Sequence, residues 1–116
     1  MNKIKLSEIM VERERIWTEC EDNWAEGIDR CANDAIAVIK EDVNGFISYL
    51  KSDCTRQDYL YITDWFDEII QEIKSQDLVD AFRETTENRF PAENREFNIS
   101  RDLDEAIEEY GEGLVH

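Results

Sequence analysis

The chain has 116 residues, of which 29 are Asp or Glu and 13 are Lys or Arg, so its net charge is −16 and its pI is near 4.3. This balance argues against direct nucleic-acid binding, which needs a basic patch to displace counterions, and against adsorption to anionic lipid. Four glycines and one proline leave little material for β-turns, which disfavours an all-β fold. Apolar residues still make up 41% of the chain, enough to build a core.

Apolar side chains recur every three or four residues through most of the chain, a spacing that predicts helices. Ser7, Asp58, Ser75 and Ser100 each stand where a side chain can cap the start of a helix. The sequence leaves open whether Gly27 breaks the join between the first two helices. The predicted helices are Ser7–Asn23, Ala25–Lys40, Val43–Lys51, Tyr59–Lys74, one that starts after Ser75 and stops before Pro91, and a last one that starts after Ser100 and ends at Gly111.

These elements predict an all-α fold, arranged as a single-domain bundle of five or six helices over residues 1–116. The polar segment Ser52–Asp58 is expected to be a loop, and Pro91–Phe97 is expected to be a connector. Residues 1–6 and 112–116 are expected to fray.

The three cysteines, Cys20, Cys31 and Cys54, show no C-x-x-C spacing, so reduced thiols are expected. Cys20 and Cys31 fall on apolar helical faces and are expected to be small core residues. Because the chain shows neither the apolar segment of a signal peptide nor an apolar run long enough to span a membrane, a cytoplasmic location is expected.

Signatures of catalysis are sparse. The one histidine, His116, lies at a terminus, which leaves no base for the Ser-His-Asp or Cys-His arrangements. The glycines are isolated and form no phosphate-binding loop. The acidic run 102–105 lacks the glycine that a calcium-binding EF-hand requires, and the Glu-x-x-His pairs of di-iron bundles are missing. We therefore expect no enzyme activity, no cofactor and no metal site.

Two columns of acidic residues repeat at a spacing of four. One contains Asp64, Glu68 and Glu72, and the other contains Asp104, Glu108 and Glu112. Like charges four apart on a helix repel, at a cost of roughly 0.2–0.5 kcal/mol per pair. One interpretation is that both columns are solvated faces that keep the protein soluble. The other is a binding face whose carboxylates meet Lys and Arg side chains of a partner.

Aromatic residues accompany the first column. Tyr61 and Trp65 lie four apart and align with the acidic residues rather than with the apolar face of the same predicted helix. They are either exposed anchors inside an acidic rim or, for Trp65, a boundary core residue packed against a neighbouring helix. Trp17 and Trp24 lie seven apart on an apolar stripe, which favours core positions.

The second half of the chain contains W-F-D-E-I-I-Q-E-I at 65–73, F-R-E at 82–84, R-F-P-A-E-N at 89–94 and N-I-S at 98–100. In pattern and proportions it resembles the small helical immunity proteins of contact-dependent growth-inhibition and polymorphic-toxin systems of bacteria. The resemblance implies a protein that binds a cognate toxin, commonly a nuclease, and blocks its active site or substrate channel. Because nuclease domains are typically basic, this function agrees with the acidic surface.

The sequence therefore predicts an immunity protein or inhibitor that binds a basic protein partner, without direct contact to nucleic acid or membrane, as a monomer or a weak homodimer. One alternative is a phage or plasmid anti-defence protein that mimics nucleic acid, and another is a non-catalytic adaptor or homodimer that uses the Trp17 and Trp24 stripe. The candidate partner-binding residues are Tyr61, Asp64, Trp65, Asp67, Glu68 and Glu72, with Asp104, Glu105, Glu108 and Glu109 as a second patch.

Overall fold

The structure, a computed structural model, describes the backbone of residues 3–19 and 24–114 and the side chains of residues 3–15 and 30–114. Over these residues the chain is helical and contains no strand, which confirms the all-α prediction. The predicted count of five or six helices is wrong, because the described part forms eight. They are α1 (Lys3–Glu19), α2 (Trp24–Glu41), α3 (Val43–Ser52), α4 (Arg56–Thr63), α5 (Phe66–Ile73), α6 (Gln76–Asn88), α7 (Pro91–Phe97) and α8 (Ile99–Tyr110).

The helices belong to two compact units, Met1–Val43 and Asn44–His116. The single domain that the sequence predicts stays a prediction. None of the helices in the described part of the chain is long and apolar enough to cross a membrane.

The first unit consists of α1 packed against α2. Helix α1 begins at Lys3, so Ser7 is an exposed residue inside the helix and not its cap, and Leu6, in the segment expected to fray, is buried. Gly27 lies within α2 and does not end it. Cys31 is buried as predicted. The side chains of Trp17, Cys20 and Trp24 lie outside the described residues.

The second unit departs from the predicted helices at three places. The segment predicted as one helix over Tyr59–Lys74 is two helices, and the first of them is capped by Thr55, whose side chain accepts a hydrogen bond from the Asp58 N–H at 3.2 Å. Asp58 instead lies in the first turn of α4. The predicted connector Pro91–Phe97 is helix α7, with Pro91 in its first turn. Backbone N–H groups in a first turn have no acceptor within the helix, so the lack of one in proline loses no hydrogen bond there.

The third departure is at the last helix. Helix α8 follows Asn98, which adopts the left-handed conformation with φ of 54°, rather than a Ser100 cap. The Ser100 N–H is bound instead by the Asn94 side-chain oxygen at 2.8 Å. Gly111 does end α8, but with φ of −78° it is not a left-handed residue. A Cβ there would collide with the Ile107 carbonyl oxygen, so the glycine is needed for close approach.

An aromatic cluster forms the core of the second unit. Phe82 of α6 has its ring centroid 4.7 Å from that of Phe66 and 6.2 Å from that of Phe46. Tyr59 stacks on Phe90 at 4.9 Å, and its hydroxyl donates to the Phe82 carbonyl at 3.0 Å. Such ring pairs add about 0.5–1.5 kcal/mol beyond the burial of their area. The cluster fixes α3, α4, α5 and α6 around one centre.

Arg89, directly after α6, ties two other segments to this core. Its guanidinium donates to the Leu50 carbonyl at 2.6 Å and to the Cys54 carbonyl at 2.8 Å, and it lies 5.0 Å from the centroid of the Phe90 ring. The last turn of α3 leaves carbonyls without a helical donor. One side chain therefore satisfies the end of α3 and the loop that follows it.

Candidate functional site

The two acidic segments of the sequence come together because α5 packs against α8. Helix α5 buries Phe66, Ile69 and Ile70, and α8 buries Ile99, Leu103 and Ala106. The spacing of three and four places each set on one helical face, so the acidic residues are left on the exposed faces beside the contact.

A groove of about 280 Å³ opens beside this contact, and it is lined by five carboxylates and two uncharged residues. We call it the acidic groove. Asp67 comes from α5, Asp64 ends α4, and the other three acids come from α8 at a spacing of three and four. The lining residues are Thr63, Asp64, Phe66, Asp67, Asp102, Glu105 and Glu109.

The carboxylates of the groove influence one another across the two helices. The pKa of Asp102 is raised, first because partial burial removes water from its carboxyl and then because Glu105 and Asp67 repel its charge, while Arg101 acts in the opposite direction. The pKa of Tyr110 is raised chiefly by Glu109, then by loss of water, Asp67 and Glu68. Acids from both helices therefore act on the same groups.

Basic residues near the groove are engaged at its edge. Arg101 donates to Glu105 at 3.2 Å, and Arg83 of α6 donates to Asp104 at 2.8 Å. The Lys74 Nζ donates to the Tyr110 carbonyl at the end of α8, where the helix dipole favours a cation. The two ion pairs are exposed, and exposed pairs contribute at most about 1 kcal/mol each to stability.

The predicted site residues separate into those that line the groove and those that do not. Asp64, Asp67, Glu105 and Glu109 line it, as a single surface rather than two patches. Four others are exposed but outside the lining: Glu68 and Glu72 on α5, and Asp104 and Glu108 on α8. The predicted column of Asp64, Glu68 and Glu72 is wrong as a single helical face, because Asp64 belongs to the end of α4.

Trp65 is not an exposed anchor. It is 2% exposed, and its backbone N–H donates to the Ile62 carbonyl in the turn that separates α4 from α5. Trp65 therefore lies in the interior, at the turn between α4 and α5, and not on the acidic face where one continuous helix would place it. Tyr61 is half-buried, and its hydroxyl accepts a hydrogen bond from the Gln57 side-chain amide at 2.8 Å.

Asp102 is the groove carboxylate that the sequence prediction missed. It belongs to the acidic run 102–105, which was compared only with the pattern of a calcium-binding loop. Its spacing of three from Glu105 and seven from Glu109 places all three acids on one face of α8, and this pattern was available in the sequence. The predicted acidic column follows a spacing of four, so it contains Asp104 and Glu108 and passes over Asp102.

The structure offers little for metal or nucleophile chemistry. Among the residues it describes, no group of three or more His, Cys, Asp or Glu is placed to hold a metal ion. Cys31 and Cys54 are buried, reduced thiols, and loss of water raises the pKa of both, to about 12 for Cys54. Such thiols stay protonated at neutral pH and are poor nucleophiles.

We expect the Asp102 carboxyl to titrate above the ordinary range of an aspartate, as measured by NMR titration of the side-chain carbonyl. Asp67→Asn should bring this pKa down, since it removes one of the repelling charges. Glu87→Gln, an exposed change on α6, should leave it unchanged. An Asp102 pKa that does not respond to Asp67→Asn would show that the two helices are not electrostatically coupled.

The same raised pKa has a consequence for stability. Because the pKa of Asp102 is higher in the folded than in the unfolded chain, ionisation of Asp102 opposes folding. The penalty is absent at pH values below the pKa of Asp102 in the unfolded chain and complete above its pKa in the folded chain. Acidification between these two pKa values should therefore stabilise the fold. Asp102→Asn should remove this pH-dependent contribution, which is small because the group is largely exposed. Thermal unfolding across that pH window measures it.

Comparison with known proteins gives no further identification: no protein-family model matches the chain, and no match is found among curated proteins or among solved structures.

Proposed function

We propose that the protein is a cytoplasmic immunity protein, an inhibitor that neutralises a basic protein toxin such as a nuclease domain by binding it through the acidic groove. The observation that supports this most is the meeting of five carboxylates from α4, α5 and α8 in one groove. Helices that repel each other across such a groove gain stability when a cation enters it. The groove is therefore suited to Lys and Arg side chains of a partner.

The size of the groove favours a protein partner. At about 280 Å³ it is at the lower limit of small-molecule pockets, which typically occupy about 300–1,000 Å³. A groove of this size accepts single side chains that project from a larger basic surface. The surrounding acids, Glu68, Glu72 and Glu108, extend the negative surface beyond the groove and complement such a surface.

The net charge of −16 determines how such a complex would form. Complementary charge steers two proteins together, with association rate constants up to about 10⁸–10⁹ M⁻¹s⁻¹ at low salt. Affinity also requires anchors that lose contact with water. Trp65 is buried and cannot be such an anchor. We propose instead the half-buried rings of Tyr110, beside Glu109, and of Tyr61, on α4.

The test is affinity capture from the native host, with the wild-type chain and two charge-reversed variants as baits. Glu109→Lys reverses a groove charge, and Glu87→Lys reverses an exposed charge away from it. The two positions are matched, since each is the second-to-last residue of its helix, where a lysine suits the helix dipole. Wild type and Glu87→Lys should capture the same basic protein, and Glu109→Lys should capture much less.

The captured protein then allows a rate measurement. We expect Glu109→Lys to slow association at low salt by about tenfold or more, and Glu87→Lys to slow it far less. High salt should reduce the difference between them, because screening acts on long-range steering. Equal association rates for the two variants would refute binding through the groove. A captured DNA-processing defence complex in place of a toxin would favour nucleic-acid mimicry.

A further inference from the structure

Helix α7 differs from the other helices of the second unit, because none of its seven residues, all of which the structure describes, is buried. Its largest apolar side chain, Phe97, is 46% exposed. Isolated helices shorter than about 12–15 residues are only marginally stable in water. The stability of α7 therefore depends on the contacts that it makes with its neighbours.

The residues on either side of α7 belong to the core. Phe90, directly before the helix, is 8% exposed, and its ring stacks on that of Tyr59. Ile99, which begins α8, is 1% exposed. Between α7 and α8 lies Asn98, whose left-handed backbone, with φ of 54°, costs free energy in residues other than glycine. Residues 91–98, which we call the strap, are therefore fixed at both ends and weakly held in between.

Two polar contacts join the strap to its surroundings. The Arg56 side chain, at the start of α4, donates from Nε to the Glu93 carboxylate at 3.0 Å. The Asn94 side-chain oxygen accepts a hydrogen bond from the Ser100 N–H at 2.8 Å. Ser100 lies in the first turn of α8, where backbone N–H groups have no acceptor within the helix. The second contact therefore stabilises the start of α8 as well as α7.

We infer that the strap is a conformational device, which opens while the rest of the second unit stays folded and thereby releases the first turn of α8. Opening breaks the ion pair of Arg56 with Glu93 and gives up little buried surface. It also withdraws the Asn94 side chain from Ser100. Asp102 lies in the released turn and lines the acidic groove, so the strap controls how firmly one groove carboxylate is held. Opening is a property of the free chain, so this inference is independent of the proposed inhibitor function.

Hydrogen exchange of the backbone amides of the full chain, followed by NMR, tests the opening. The Asn94 N–H, which donates to the Phe90 carbonyl at 2.9 Å, and the Ser100 N–H should exchange through one shared opening. That opening should occur at least about 100-fold more often than the one that exposes the amide of Phe82 in α6. Low concentrations of urea should speed exchange at Phe82 and hardly change it at the other two, since opening of the strap exposes little surface.

Two variants with matched ion pairs test what holds the strap closed. Arg56→Ala should raise the ratio of open to closed strap about three- to fivefold, the range of an exposed ion pair, and should do so equally at the Asn94 and Ser100 amides. Lys51→Ala removes an exposed cation that pairs with Glu84 between α3 and α6. It should leave both amides unchanged, because that ion pair stays formed when the strap opens.

A third variant tests the link between the strap and α8. Asn94→Ala removes the acceptor of the Ser100 N–H but keeps the backbone hydrogen bond of position 94. Exchange should therefore rise at least about tenfold more at Ser100 than at position 94. The inference is overturned if the strap amides of wild type exchange as slowly as that of Phe82. It is equally overturned if Arg56→Ala changes the Asn94 and Ser100 amides by different factors.

Discussion

Replacement of Phe82 by alanine is expected to lower the free energy of unfolding by about 3–5 kcal/mol, the usual result of emptying an aromatic site in a core. Phe82 is 0% exposed, and its ring contacts the rings of Phe66 and Phe46. The loss removes both ring pairs and leaves a cavity between α3, α5 and α6. Because small domains are stable by only about 5–15 kcal/mol, the variant should unfold at a much lower temperature.

Phe97→Ala is the matched control. The same ring is removed, but Phe97 is 46% exposed at the end of α7. We expect a loss below about 1 kcal/mol, since most of that ring remains in water in the folded chain. Thermal unfolding followed by circular dichroism compares the two variants. Equal losses would mean that the aromatic cluster is not the main source of stability in the second unit.

Arg89→Ala should have the next largest effect, a loss of about 2–3 kcal/mol, because it leaves two carbonyls without their charged donor. The guanidinium binds the Leu50 and Cys54 carbonyls with two different nitrogens while it lies against Phe90. Arg89→Lys should recover only part of the loss, because an ammonium group cannot reproduce the planar fork. Urea unfolding measures both variants.

Arg95→Ala serves as the control for Arg89→Ala, because Arg95 is exposed on α7 and its removal takes the same charge from the chain. Its effect should stay within about 0.5 kcal/mol. If Arg89→Lys is as stable as wild type, the two-pronged geometry of the guanidinium contributes nothing and a single charge is sufficient.

The fold class and several buried faces follow from the sequence because they depend on local spacing. Within the predicted helix Tyr59–Lys74, the residues Ile62, Phe66, Ile69 and Ile70 recur every three or four positions, and all four are buried. Ser75 caps α6 as predicted, with its hydroxyl accepting from the Leu78 N–H at 3.2 Å. Both signals act within about one turn of the chain, so they need no knowledge of the tertiary structure.

The breaks between helices are harder to predict, since each depends on a balance of weak local preferences. Thr63 and Asp64 are mediocre helix formers, but the apolar periodicity continues across them and suggested one long helix. Tertiary packing favours the break between α4 and α5, because it buries Trp65 at the turn. Helix α6 ends before Pro91 as predicted, and Pro91 also begins α7, a second role that the predicted connector Pro91–Phe97 does not include.

The acidic groove could be predicted only in part. The excess of acid on two segments is visible in the sequence, and Asp67, Glu105 and Glu109 were among the candidates. The packing of α5 on α8, which unites the segments, depends on contacts between residues more than thirty positions apart, such as Lys74 with the Tyr110 carbonyl. The face of α8 that meets α5 determines that Asp102 lines the groove and Asp104 pairs with Arg83 instead.

On both α5 and α8, the residues that stabilise the fold and the carboxylates that line the groove occupy different faces, and this separation has an evolutionary consequence. The side chains that hold the two helices together are buried, and the carboxylates that line the acidic groove project from their exposed faces. Substitution of a groove carboxylate therefore changes the charge pattern without emptying the core. A lineage of such chains can change the charge pattern of this surface one position at a time while it keeps the same scaffold, and each step remains foldable.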